Sequence, residues 1–251
     1  MSSDSDLARE LAEGAGRMLL VVRAQETDGP TLKRRGDAES HEWLMAQLKE
    51  RAPEDAVLSE EGKDDRGRVD AARVWIVDPV DGTREYSEPP RDDWAVHVAL
   101  WERGADGTGE LTAGAVALPA RDVVYDTGQP PVVPARSGPI RLAVSRSRPP
   151  EFVTALAEKL DAVLVPMGSA GVKGMAVVTG EADAYVHAGG QFEWDSAAPV
   201  VVARAAGLHT SRIDGSPLEY NREDPKLPDL VIAHPDVAEE VLAAIGTLQQ
   251  G

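Results

Sequence analysis

The sequence predicts an α/β protein of mixed α+β type. Three observations carry this: apolar residues spaced by three and four near the start, consecutive strand-like segments after them, and alternating strand-like and helix-like segments in the second half. Leu7, Leu11, Ala15, Met18, Leu19 and Val22 predict an amphipathic helix over residues 4–25. A second helix is expected after Asp37, with Leu44, Leu48 and Trp43 on its apolar side, and Pro53 ends it because proline cannot continue the helix ladder. Strands are expected from Ala56 and over 73–77, 94–101, 112–118 and 122–126, and their succession suggests antiparallel pairing. Residues 127–139 hold four prolines and two glycines without periodicity, so the chain is expected to divide there into residues 1–135 and 136–251. Beyond lie a strand at 140–144, a helix at 150–160, a strand at 163–165 and a helix after Ser169. A strand at 182–187, a helix at 195–206 stopped by Gly207, a strand at 230–233 and a helix at 235–248 complete the pattern.

Composition narrows the function. The 251 residues carry 43 acidic and 26 basic side chains, a net charge of −17, and such a surface repels nucleic-acid backbones. No apolar run reaches membrane-spanning length, and the acidic start MSSDSDLARE does not read as a secretion leader, so a cytoplasmic protein without membrane or nucleic-acid partners is expected. There is no cysteine, which removes disulfides, thiolate catalysis and cysteine-bound zinc. The five histidines lack metal-ligand spacing, and none is assigned a catalytic role.

The most informative stretch is WIVDPVDGTREY, residues 75–86, where an apolar strand runs into two aspartates separated by Pro-Val. Pro79 fixes its φ, so Asp78 and Asp81 can face one point, and Gly82 lets the backbone pass closely. Two carboxylates about 4 Å apart repel by roughly 1 kcal/mol in water and roughly 4 kcal/mol at an effective dielectric of 20, so a cation is expected between them. Oxygen ligands favour magnesium, manganese or calcium. Alone, the same residues also spell an ordinary surface turn. Two further acidic sites at element ends favour the metal: Glu60–Glu61 after the strand at 56–58, and Asp195 at a helix start. Asp195 also reads as a plain N-cap, and so does Thr83.

These segments, LSEEG at 58–62, DPVDGT at 78–83 and EWDSAAP at 193–199, resemble in kind and order the signature elements of the inositol monophosphatase-like superfamily of magnesium-dependent, lithium-sensitive phosphatases. The likeness is greatest to its CysQ-type 3'(2'),5'-bisphosphate nucleotidase branch, because Arg84-Glu85-Tyr86 follows DGT. The resemblance implies a layered αβαβα sandwich. It also implies metal ligands at Glu60, Asp78, the Val80 carbonyl, Asp81 and Asp195, holding two or three Mg2+ ions with Mn2+ as a substitute. Glu60 and Thr83, with Asp37 behind the threonine, would orient a metal-activated water that attacks phosphorus in line. The backbone N–H groups of Gly82 and Thr83 would hold phosphate oxygens. Glu61 would support the site from behind or face solvent.

Ser169 and Lys173 would approach the ribose or 5'-phosphate, with adenine near 189–192; Lys173 reads equally as a solvated helix lysine. The loop from Gly168 to Lys173 is one residue longer than in the nucleotidases, as in inositol phosphatases. The chain departs from the family at Arg34, where a threonine is usual three residues before the aspartate matched by Asp37. Residues 31–37 lack strand periodicity and read either as a mobile loop over the substrate, with Lys33, Arg34 and Arg35 meeting a second phosphate, or as an exposed basic turn. The implied reaction is hydrolysis of 3'-phosphoadenosine 5'-phosphate to AMP and phosphate, with action on the 3'-phosphate of the related sulfate donor. The alternatives are inositol monophosphate or fructose 1,6-bisphosphate hydrolysis on the same metal core, and a non-enzymatic metal- or nucleotide-binding protein. The partner is a small phosphomonoester, and a homodimer is compatible with the sequence without being required by it.

Overall fold

A computed structural model describes residues 3–147 and 149–249. Helix α1 (Asp4–Gln25) begins at a reciprocal cap: Asp6 N–H donates to Ser3 Oγ and Ser3 N–H to Asp6 Oδ2. Helix α2 (Gly29–Arg51) starts earlier than its apolar spacing indicated. Asp28 accepts the Thr31 N–H and Pro30 occupies the first turn, a start signal that pulls residues 31–37 into the helix. The segment is therefore neither a mobile loop nor a basic turn. The buried positions of α2, Leu32, Gly36, Ser40, Leu44 and Leu48, do recur every four residues, but a glycine and a serine among them blur the pattern.

The first sheet comprises β1 (Ala56–Ser59), β2 (Arg73–Asp81), β3 (Ala95–Arg103), β4 (Gly109–Leu118) and β5 (Val123–Asp126), in that spatial order. The expected antiparallel pairing holds from β2 to β5, while β1 joins β2 in parallel. A four-residue helix, α3 (Thr83–Tyr86), follows β2. Residues 127–139, which carry no helix or strand, lead into β6 (Arg141–Ser145), α4 (Glu151–Leu160), β7 (Val163–Met167), α5 (Ala170–Val178), β8 (Ala184–Phe192), α6 (Glu193–Ala205), β9 (His209–Ser211), β10 (Lys226–Ala233) and α7 (Pro235–Gln249). Their sheet order is β7-β6-β8-β10-β9, parallel from β7 to β8 and antiparallel from β8 to β9.

Alternation of apolar residues explains the layering. Trp75, Val77, Val96 and Val98 point to one side of the first sheet and bury Leu11, Leu19, Leu32 and Leu44 of α1 and α2. Ile76, Ala95 and Ala99 point to the other and meet Val172, Met175, Val200 and Val201 of α5 and α6. The far side of the second sheet, with Leu142, Val186 and Val231, covers Leu156 of α4 and Val241 and Ile245 of α7. The result is the expected αβαβα sandwich.

Several strands are longer than the sequence indicated, β2, β8 and β10 among them. β2 continues through Asp78 to Asp81 with a register shift between those two residues, β8 continues through Gly189–Gly190 to Phe192, and β10 begins at Lys226 because a bulge between Leu227 and Asp229 accommodates Pro228.

Candidate active site

The irregular end of β2 builds the first part of the site. Asp78 is buried, and its Oδ1 accepts the Val80 N–H at 3.0 Å across Pro79, closing a tight turn. The register shift turns Asp81 to the same side. Gly82 then takes a left-handed conformation, φ +82°, and a side chain there would come within 3.0 Å of the Ser169 Cβ. Asp195 arrives from α6, where it is the third residue and not the N-cap; its Oδ2 accepts the Phe192 N–H at 2.7 Å, and this fixes the carboxylate. Carboxylate oxygens of Asp78, Asp81 and Asp195 lie within 4.8 Å of one another.

Burial together with mutual repulsion raises the proton affinity of Asp78, Asp195 and the neighbouring Glu60. Asp195 is pushed up to about 6, first by burial and then by the charge of Asp81. Glu60 is pushed up to about 7 by burial and by Asp195, Asp81 and Glu61, against the hydrogen bond it shares with Asp78. Asp78 rises well above the carboxylate range through burial and its proximity to Glu60, Asp81 and Asp195. Asp81 goes the other way. Burial raises it, but His97, the Ser169 hydroxyl and the Gly171 N–H more than offset that and hold it below the ordinary range.

The partners of Asp81 explain its difference. Ser169 Oγ and Gly171 N–H donate to Oδ2, the latter at 2.6 Å, and Ala170 N–H donates to Oδ1 at 3.1 Å, so the carboxylate sits on the first turn of α5. His97, fully buried on β3, places Nε2 3.2 Å from the same Oδ2, off the line of a good hydrogen bond, and Nδ1 3.0 Å from the Trp194 carbonyl oxygen. A Cβ at position 171 would lie 2.1 Å from His97 Nε2, so only glycine fits. His97 is a site residue that sequence reasoning missed. Its one signal is a polar side chain in an otherwise apolar alternation, Ala95, His97, Ala99, Trp101.

The other expected residues are distributed as follows. Glu60 lies one residue past β1 at the solvent-exposed edge of the cluster, and Glu61 is exposed beside it. The Thr83 hydroxyl donates to the Val80 carbonyl oxygen at 3.3 Å, not to Asp37. Asp37, half-buried on α2, is pushed up to about 6 by burial and by the charge of Glu61, with Lys33 opposing. Lys173 is buried rather than solvated: its ammonium donates to the Ser169 and Gly168 carbonyl oxygens and sits 5.2 Å from the centroid of the Tyr185 ring. Those bonds hold Ser169 in its unusual backbone conformation, φ +52°. Asp93 and Glu85, both buried, fix the same loop: Asp93 accepts the Gly168 N–H at 2.7 Å, and Glu85 pairs with Arg146 at 2.8 Å.

The donors are all oxygen, in a cluster too negative to be fully ionised alone, which suits a hard divalent cation. The profile of the Inositol monophosphatase family matches residues 5–250. The chain belongs to the inositol monophosphatase family. That family is metal-dependent, in keeping with the acidic cluster. Within it, the chain is 53% identical over 237 residues to the 3'-phosphoadenosine 5'-phosphate phosphatase of Mycobacterium tuberculosis, which covers 92% of this chain and 89% of the relative. It is 30% identical to the 3'(2'),5'-bisphosphate nucleotidase CysQ of Escherichia coli K12, over 86% of this chain and 88% of that one. Among solved family structures, CysQ from Bacteroides thetaiotaomicron superposes with a TM-score of 0.76 at 27% identity, covering 90% of this chain and 95% of that one. Inositol monophosphatase II from Staphylococcus aureus gives 0.79 at 21% identity, covering 94% and 92%, and shows the shared fold. No described helix is long and apolar enough to cross a membrane.

Proposed function

We propose that this chain is a magnesium-dependent phosphomonoesterase that hydrolyses 3'-phosphoadenosine 5'-phosphate to AMP and phosphate, and that it also removes the 3'-phosphate of the related sulfate donor. The observation that carries the reading is the convergence of Asp78, Asp81 and Asp195 in a chain 53% identical to a phosphatase of that name.

Asp78, Asp81, Asp195, Glu60 and the Val80 carbonyl would hold the ions, two or three Mg2+ with Mn2+ as a substitute. When bound, such ions supply charge neutralisation of the phosphate and acidification of water. The chain's own groups do the positioning. Glu60, at the solvent-exposed edge, orients the attacking water together with the Thr83 hydroxyl, while Asp37 sets the negative potential behind them. The N–H groups of Gly82 and Thr83, which precede any helical acceptor, receive phosphate oxygens. Ser169 and Lys173 define the wall facing the ribose, the lysine by shaping the Gly168–Ser169 turn. In the reaction the water oxygen bonds phosphorus, the bond from phosphorus to the ribose 3'-oxygen breaks, and that oxygen takes up a proton. Residues 1–135 provide most of these groups and residues 136–251 provide Asp195, Ser169 and Lys173.

The deciding experiment is phosphate release from 3'-phosphoadenosine 5'-phosphate, inositol 1-phosphate and fructose 1,6-bisphosphate, each with magnesium and with chelator. A magnesium-dependent preference for the nucleotide of tenfold or more in kcat/KM, about 1.4 kcal/mol of transition-state discrimination, supports the reading. A preference for either sugar phosphate overturns the substrate, and no release from any of them overturns the enzyme.

A further inference from the structure

Arg68 has no part in the chemistry described so far. It lies in a short 3-10 turn, Arg66–Asp70, in the segment that follows Glu60, and its side chain is only 1% exposed. A guanidinium so deeply buried needs partners for its donors, and it has them. Nε and Nη2 donate to the two Asp64 carboxylate oxygens at 2.7 and 3.1 Å, Nη1 donates to Asn221 Oδ1 at 2.8 Å, and Nη2 also donates to the Arg222 carbonyl oxygen at 2.9 Å. Asn221 Nδ2 donates in return to the Arg68 carbonyl oxygen at 3.2 Å. Asp64 and Arg68 belong to the first half of the chain, whereas Asn221 and Arg222 belong to the loop between β9 and β10 of the second.

That loop grips the start of α6. The buried Glu193 carboxylate accepts the N–H groups of Asn221 at 2.7 Å and Arg222 at 2.8 Å, and the Glu193 N–H donates to the Pro225 carbonyl oxygen at 2.8 Å. Asn221 takes a left-handed conformation to do this, φ +59°, which asparagine and glycine tolerate better than other residues. Glu193 and Asp195 share the first turn of the helix. His97 ties the same turn to the first half through the Trp194 carbonyl oxygen; Arg68 makes a second tie, through the loop.

A buried ion pair contributes little net stability, because desolvation offsets its attraction, whereas the rigid fork of a guanidinium fixes geometry well. We infer that Arg68 is a positioning residue: by holding the Asn221–Arg222 turn against Glu193, it sets the place of Asp195 opposite Asp78 and Asp81. The inference rests on the metal-site reading of Asp195 and explains how a carboxylate supplied by one half keeps register with two supplied by the other.

The test uses Arg68→Met, Asn221→Gly and the two combined. Arg212→Met is the control, because it breaks a comparable pair of the second half, Arg212 with Asp229 of β10 at 2.6 Å. Two quantities are read well below the unfolding temperature of each variant: Mn2+ affinity by electron paramagnetic resonance and, in chelator, hydrogen exchange of the Phe192 amide, whose N–H is held by Asp195 Oδ2. Arg68→Met and Asn221→Gly each weaken Mn2+ binding by about tenfold, the low end of the effect known for groups that orient metal ligands, and speed Phe192 exchange by about tenfold or more. The double variant binds Mn2+ no more weakly than Arg68→Met, because the two residues act as one tie, and Arg212→Met changes neither quantity by more than about twofold. Phe192 exchange in Arg68→Met within about twofold of wild type or of the control overturns the inference, as do losses of Mn2+ affinity that multiply in the double variant. If the wild-type protein binds no Mn2+, the metal reading fails instead, and Phe192 exchange still decides whether Arg68 places Asp195. Should Arg68→Met fail to fold, Asn221→Gly, which suits the left-handed backbone, carries the same readouts against the same control.

Discussion

His97 Nε2 stands 3.2 Å from Asp81 Oδ2 while its Nδ1 meets the Trp194 carbonyl, so one buried ring spans from β2 to the helix that carries Asp195. Burial pushes the imidazole pKa down, but the Asp81 charge and the Trp194 carbonyl raise it overall. Replacing His97 with alanine removes the partner of a buried carboxylate and leaves a void. The expected loss is about 2–4 kcal/mol in urea unfolding, with weaker Mn2+ binding by electron paramagnetic resonance. A variant with unchanged stability and metal affinity would remove His97 from the site.

Burial and the neighbouring Glu60, Asp81 and Asp195 carboxylates push the Asp78 carboxyl well above its usual range in the metal-free protein, which favours its protonated form. Asn is nearly isosteric with a protonated aspartate, so Asp78→Asn is expected to leave the chelated protein as stable as wild type, within about 0.5 kcal/mol, yet to lower kcat/KM by about a thousandfold or more. Denaturant unfolding and phosphate release measured on the same preparation check both halves.

The pH dependence has a definite sign. Asp195 rises from 3.8 to about 6 and Glu60 from 4.5 to about 7, so the folded, metal-free chain binds more protons than the unfolded chain across that window. Their contribution is favourable below about pH 4 and is lost as pH rises through the folded values. With chelator, the melting temperature should therefore fall from pH 5 to pH 8, and the increment produced by magnesium should grow over the same range. A magnesium increment that shrinks towards pH 8 contradicts the assignment of these carboxylates as ligands.

Gly171→Ala places a methyl 2.1 Å from His97 Nε2 in a layer with no room to retreat. Overpacking of this kind costs about 1–3 kcal/mol, and here it also displaces the amide that holds Asp81. Stability and activity should fall together. An alanine variant with wild-type melting temperature and turnover would show that the layer yields.

The Asp-Pro-Val-Asp-Gly turn was legible because its chemistry is local: a strand, a proline and two carboxylates in seven residues, with the glycine's left-handed conformation following from the turn. The positions of the strands and most helices were legible from periodicity, whereas the order of the strands in each sheet was not, because it is set by pairings between distant segments. The start of α2 was not legible either, since Gly36 and Ser40 occupy buried positions where apolar residues were sought; Gly36 is required there because a Cβ would lie 2.3 Å from the Tyr86 ring. His97 was assigned no role, and the burial of Lys173 was left open, because the surroundings of each are set by groups elsewhere along the chain, Asp81 with Trp194 for the first and the Tyr185 ring for the second. No spacing rule in one strand or helix reports such a meeting.

The first sheet contributes Asp78 and Asp81, and the helix leaving the second contributes Asp195, so the like charges lie on opposite sides of a seam. A cation held among the three carboxylates would touch both layers at once, so the proposed ligand would act on the stability of the whole sandwich and not of one half alone.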